Sequence, residues 1–305
     1  MKTLKALIKR NIKLFFKDKG MFLTSLITPC ILLILYISFL GNVYKDSFLM
    51  TLPEGFVYSD KLVNGYVGAQ LISSILAVSC VTVSFCSNML MVQDRANGVI
   101  RDLTVSPLKP YTLAVGYYLA TLASTLMICF FATGICLVYC SIVGFYMSFA
   151  DVVLLILDVF LLVMFGTALS SVISFFLTSQ GQISAVGTMV SSCYGFVCGA
   201  YMPISQFSEG LQKVVRLLPG TYGTSLVREH SMRGVLMEMK NDGFPEDAVT
   251  ALGDVVDCNM YMGDTLITSE VKYGVLVLTI VILLGAYIAM NILKERKRNL
   301  KNAKK

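Results

Sequence analysis

The sequence predicts an all-α polytopic membrane protein with six transmembrane helices, and three observations predict it. Hydrophobic residues make up 56% of the chain against 14% charged, a balance that water-soluble domains rarely reach. Six apolar stretches, at about 22–43, 62–92, 111–144, 150–177, 183–202 and 271–293, are each long enough for a helix to cross ~30 Å of hydrocarbon. The alternating ten-residue segments of a transmembrane barrel are absent. Inside lipid the backbone must satisfy its own hydrogen bonds, so uninterrupted apolar runs become helices. Residues 1–305 therefore read as a single transmembrane domain.

The N-terminal segment 1–20 is basic and amphipathic. Leu4, Leu7, Ile8, Ile12 and Phe15 recur at helical spacing with lysines opposite, which predicts a helix lying in the membrane interface. It serves either as an elbow feeding the first span or only as a topology determinant. The first apolar run is too long for a signal-peptide core and no small-x-small site follows it, so it is expected to stay as an anchor. Pro53, Glu54 and Gly55 mark a turn in loop 44–61. Loop 144–150 makes spans three and four a tight hairpin, and loop 178–182 is another short turn. Segment 203–270 is expected to form a helical extracellular cap. Phe207, Leu211, Val214, Val215 and Leu218 give one apolar face that stops at Pro219-Gly220, placed at the membrane surface. A second helix is expected over 222–239, and a third after Pro245 with Ala248, Val249, Leu252, Val255 and Val256 inward.

Lysine and arginine set the orientation. They crowd the N-terminus, loop 93–110 (Arg95, Arg101, Lys109) and the tail 294–305. With an even number of spans these segments share one side, the cytoplasm. The net charge of +6 then reflects topology and attraction to anionic membrane lipid. It does not point to nucleic acid, because no basic aromatic surface lies outside the membrane flanks.

Polar residues within the spans are few. Eight of the nine cysteines lie in spans, where they pack as small apolar residues, and no histidine stands near Cys136 and Cys140 to suggest a metal. Asp158 lies eight residues into span four. A charge near mid-bilayer costs about 2.5–3.5 kcal/mol on insertion scales, so it should face protein or water. It reads as a substrate or proton contact, or as a structural carboxyl that is protonated, bonded to Ser or Thr, or close enough to the outer surface to be wetted. Gln70 and Asn88 in span two are further pathway candidates. Gly187, Ser191, Gly195 and Gly199 form a small-residue stripe at four-residue spacing, which suits close helix packing, at a dimer seam or within the chain. A similar stripe, Gly166, Ser170 and Ser174, is expected to pack within the chain. Arg228, Glu229 and His230 sit together in the cap, but no nucleophile accompanies them, so no catalytic residues are assigned. The cap's acidic residues read as a solvated face.

Loop 93–110 carries the sharpest signal. Val92, Ala96, Val99, Ile100 and Leu103 fall on one face of a helical wheel, and Asp94, Arg95, Arg101 and Asp102 on the other. Ser106-Pro107 ends the helix, since the residue before proline avoids the α region. A short rigid helix across the inner ends of two spans can transmit a push. Asp94, Gly98, Leu103, Ser106, Pro107 and Leu108 resemble the coupling helix of type-2 permeases of ATP-binding-cassette (ABC) exporters. Pro203, Leu211, Leu218, Pro219 and Tyr222 resemble that family's segment after span five. Gln93, Val99 and Tyr117 depart from its usual pattern.

The resemblance implies that loop 93–110, through Asp94, Arg95, Gly98, Arg101, Asp102, Leu103, Ser106 and Pro107, docks on a separate ATPase subunit. It also implies a working unit of two permeases and two ATPases, with ATP and magnesium on the partner. Span five would lie near the two-fold interface beside span one, in a membrane expected to be the bacterial plasma membrane. GxxxxGK[ST] is absent, so nothing in this chain cradles nucleotide phosphates. Two other classes suit a polytopic chain. A proton-coupled secondary transporter working through Asp158 predicts inverted repeats and broken helices, neither of which is visible. A non-transporting sensor or scaffold would present the 203–270 cap.

Overall fold

The computed structural model describes residues 2–51, 59–105, 110–262 and 265–302. The amphipathic helix α1 (Lys2–Lys17) meets α2 (Lys19–Leu35) at 74°. Asp18 makes the corner, its carboxylate accepting the Met21 amide at 3.1 Å and capping α2. A π turn over Tyr36–Leu40 leads into α3 (Gly41–Thr51). The long helices α4 (Asp60–Ala96), α6 (Pro110–Val143) and α7 (Phe149–Phe176) follow, with the short α5 (Val99–Val105) between the first two. Then come α8 (Gln180–Val197), α9 (Glu209–Val215), α10 (Pro219–Asn241), α11 (Glu246–Val255), a two-stranded hairpin β1 (Tyr261–Met262) and β2 (Thr265–Leu266), and α12 (Ser269–Asn302).

Among the described residues four helices are long and apolar enough to cross a membrane: α4, α6, α7 and the Ser269–Lys294 part of α12. The bent pair α1 and α2 makes a fifth if it counts as one span. That falls short of the expected six. Helix α8 is short and rich in Gly, Ser, Thr and Gln, so length and apolarity alone do not single it out.

Helix α4 is the central post. It is buried almost continuously from Leu62 to Asn88, packed by α2, α6, α7, α8 and α10. Helix α7 comes closest to it at Gly166, where an added Cβ would lie 3.0 Å from Val81 Cα and 3.1 Å from the Cys80 carbonyl. The Gly166, Ser170, Ser174 stripe thus packs within the chain, as expected.

The stripe expected along span five divides. Gly187 faces α4, where a Cβ would meet Met89 at 3.2 Å. Gly195 lies under the Tyr201 ring, which folds back because the Ala200 and Tyr201 amides both donate to the Gly195 carbonyl. Gly199 lies beyond the helix, at φ +74°, and turns the chain. Ser191 borders an open groove between α2 and α8, with Ile31, Tyr36 and Tyr201.

The helices of segment 203–270 form close to where periodicity put them. Leu211 and Val214 of α9 and Leu217 just beyond it are exposed, but α10 is not a surface helix. It lies between α4, α7 and α12 and is buried along most of its length from Gly220 to Met239. Small residues allow this approach. A Cβ at Gly223 would overlap Leu162 of α7, and one at Gly234 would overlap the Tyr146 carbonyl.

Candidate functional site

At the end of α4, Asn97 and Gly98 break the helix, and Gly98 takes φ +80°, a left-handed conformation that favours glycine. The single helix expected across 94–104 is therefore two pieces, the last turn of α4 and the separate α5. Of the expected apolar face Val92 is buried and Val99, Ile100 and Leu103 are half-buried, but Ala96 is exposed.

This division changes the roles of two residues expected on a polar docking face. Asp94 is buried and turns inward. It accepts two bonds from the Arg10 guanidinium, at 2.7 and 3.2 Å, and one from the Tyr117 hydroxyl at 2.5 Å. A bidentate pair of this kind fixes geometry as well as charge, so the elbow α1 and the start of α6 are both tied to the end of α4. Arg95 reaches the other way. Its Nη1 donates to the carbonyls of Ser174, Phe175 and Leu177, at 3.0, 2.8 and 2.6 Å, at the end of α7, where backbone oxygens run out of intrahelical donors although that of Ser174 also accepts the Leu177 amide. Arg101 and Asp102 of α5 are exposed, and Leu103 is half-buried. Ser106, Pro107 and Leu108 lie outside the described residues.

Deeper in the bundle Asn88 joins three helices. Its amide nitrogen donates to the Ser170 and Ser171 hydroxyls of α7, at 3.3 and 3.5 Å, and its oxygen accepts from Thr121 of α6 at 3.4 Å. Gln70, one span-length away on α4, lines a cavity of about 180 Å³.

The opposite half of the bundle is organised by three consecutive residues of α10. Successive helical side chains point about 100° apart, so Arg228, Glu229 and His230 reach three different neighbours. Arg228 donates to the carbonyls of Val256 at 2.7 Å and Gly199 at 3.1 Å, and to the Ser74 hydroxyl of α4 at 3.2 Å. It also faces Asp257 at 3.5 Å. Glu229 accepts from Lys272 at 2.8 Å and Ser269 at 2.5 Å, both on α12. His230 meets Asp158 of α7 through Nδ1 at 2.6 Å. Tyr273 of α12 donates to the other Asp158 oxygen, also at 2.6 Å. One turn further along α10, Arg233 pairs with Asp151, whose carboxylate also accepts from the Ser148 amide in a capping box at the start of α7.

The electrostatics follow from burial and pairing. Burial pushes the Glu229 carboxyl up, but the Lys272 ammonium and the bonds from Lys272 and Ser269 outweigh it, leaving Glu229 below the usual carboxylate range. For Asp257 burial prevails over Arg228, and its carboxyl is raised. The neighbouring Cys258 thiol is pushed up by burial to about 12.

Asp158 thus faces protein, with both oxygens engaged, and the partner is a histidine rather than the Ser or Thr that sequence suggested. The signal was present. Asp151 and Asp158 stand seven residues apart on one face of α7, and His230 and Arg233 stand three apart on α10. No group of three or more His, Cys, Asp or Glu among the described residues could hold a metal ion. The arrangement holds a helix in place, and its charged groups neutralise one another in pairs.

A family model described as "ABC-2 type transporter" matches residues 2–230. This span contains α1, the inward-turned Asp94, α5 and the paired residues Arg228, Glu229 and His230. No curated protein matches the chain.

Proposed function

The chain belongs to the ABC-2 type transporter family, the permease subunits of type-2 ABC transporters, and on that premise we propose that it is the transmembrane subunit of an ATP-driven exporter working as a dimer. It is an integral membrane protein. In the proposed arrangement the span through α2 and α3 and the span of α8 bring the total to six, with both termini and α5 in the cytoplasm of a bacterial cell. A separate ATPase, in two copies, carries ATP and magnesium. A second permease copy completes the path along the face shared by α2 and α8.

The observation that carries this reading is the mechanical wiring of α5. The helix sits between two long helices, hinged at Gly98, and the turn before it is bonded to three others. Asp94 ties it to α1 and α6, and Arg95 ties it to α7. A push on α5 when the ATPase pair closes would reach α1, α4, α6 and α7 together. The docking surface narrows to α5 and the loop beyond it, with Gly98, Arg101, Asp102 and Leu103 on it, while Asp94 and Arg95 transmit.

The test is ATP-dependent flux in liposomes holding this chain with an ATPase that co-purifies with it. Leu103→Asp should abolish coupling while leaving the permease folded, and cysteine at Ser106 should label from the cytoplasmic side. Unchanged flux in Leu103→Asp, or labelling of Ser106 from outside, overturns the reading. The proton-coupled alternative gains no support from Asp158, whose oxygens are both occupied.

A further inference from the structure

The cavity beside Gln70 lies between α3, α4, α11 and the chain that follows α8. Its volume is about 180 Å³. Tyr44, Phe48 and Tyr66 give it aromatic walls, and Leu252 and Val256 close the side formed by α11. Among the described residues no charged side chain lines it. Of the three tyrosines in its lining (Tyr44, Tyr66 and Tyr201), two have hydroxyls engaged elsewhere, Tyr66 donating to the Leu252 carbonyl at 3.0 Å and Tyr44 to the Tyr201 carbonyl at 3.4 Å. Gln70 differs from them. It is 2% exposed and lines the cavity, yet its side-chain amide has no hydrogen-bond partner among the described residues, only its backbone carbonyl accepting from Ser73.

The amide is not one of the fully enclosed unpaired groups, so water in the cavity reaches it, and it offers both a donor and an acceptor to whatever displaces that water. Size and charge narrow the occupant. An apolar cavity of about 150 Å³ accommodates benzene, so this one has room for a single substituted ring. A charged molecule would lose its hydration without gaining a counter-ion. We propose that the cavity binds a neutral ring-sized molecule, or the ring end of a larger one, whose single hydrogen-bonding group meets the Gln70 amide while the ring lies among Tyr44, Phe48 and Tyr66. The site stands apart from the transport reading, since binding alone reports on it.

The experiment is a fluorine NMR titration of the purified full chain in detergent with 4-fluorobenzamide, and with 4-fluorotoluene as the comparator that lacks the polar group. Both should bind saturably, the amide about tenfold more tightly, as one good hydrogen bond predicts. Gln70→Leu should erase that preference and keep fluorotoluene binding. Val256→Phe, which fills the space from α11, should abolish both. Should Val256→Phe fail to fold by thermal melting, Val255→Phe fills from the exposed rim instead. Non-saturable partitioning in the wild type, an intact amide preference in Gln70→Leu, or binding that survives a folded filling variant would overturn the proposal.

Discussion

With His230 replaced by alanine, Asp158 keeps only the Tyr273 hydroxyl. His230 is 3% exposed and Asp158 1%, so water cannot easily replace the lost partner. Removing one member of a buried pair typically costs about 3–5 kcal/mol, because the remaining charge stays buried without compensation. That corresponds to a loss of two to nearly four orders of magnitude in an equilibrium constant. The cost should appear first in α10, which this pair joins to α7 and, through Asp158 and Tyr273, to α12. Denaturant unfolding in detergent gives the global value, and hydrogen exchange of amides 225–239 gives the local one. The double variant Asp158→Leu/His230→Leu removes both members of the pair, and apolar replacements of buried pairs are often neutral or stabilising by about 1–4 kcal/mol. It should therefore recover most of what His230→Ala loses. A His230→Ala protein as stable as wild type, or a double variant no better than the single one, would refute the assignment of this pair as the anchor of α10.

Other perturbations follow the same logic. Arg95→Met keeps the stem and removes the donors to three carbonyls; at about 1.5–3 kcal/mol for a bond to a charged group, exchange of the last turn of α7 should quicken while insertion into the membrane is unchanged. Gly234→Ala drives a methyl into the Tyr146 carbonyl and should destabilise by about 1–3 kcal/mol or more, whereas Gly285→Ala, with nothing within 4 Å, should leave the unfolding midpoint unchanged or raised. Because the Glu229 carboxyl is lowered in the folded protein, its contribution is complete above the ordinary glutamate value of about 4.3 and is lost as pH falls through the folded value. Glu229→Gln should therefore flatten the acid limb of the stability profile, and an unchanged limb would contradict the pairing with Lys272.

The long apolar helices were legible because burial in lipid or protein needs only a run of apolar side chains, and α4, α6, α7 and α12 have one. Helix α10 was legible as a helix but not as an interior one, since its core face is built from Gly, Thr and Ser beside Arg, Glu and His. Those residues look solvated until their partners are known, and the partners lie far away in sequence, in α7 and α12. The same distance hid the inward turn of Asp94, which answers to Arg10 on the elbow. The glycine at 98 was read as a motif position, and its conformation, which separates α5 from α4, emerges only from the backbone. Four-residue spacing along span five was real, but it could not tell that Tyr201 returns to cover Gly195.

The bonds from α12 to Glu229 and Asp158 also set an order of assembly. Lys272 leaves the ribosome 43 residues after Glu229, and Tyr273 115 residues after Asp158, so a nascent chain carries α10 with only part of its charge answered. Until α12 arrives, α10 has reason to stay at the water interface, and its final seat between α4, α7 and α12 becomes available only then. Helix α12 would thus act as the closing piece of this corner of the bundle, admitting its polar neighbour by supplying an ammonium and a phenol.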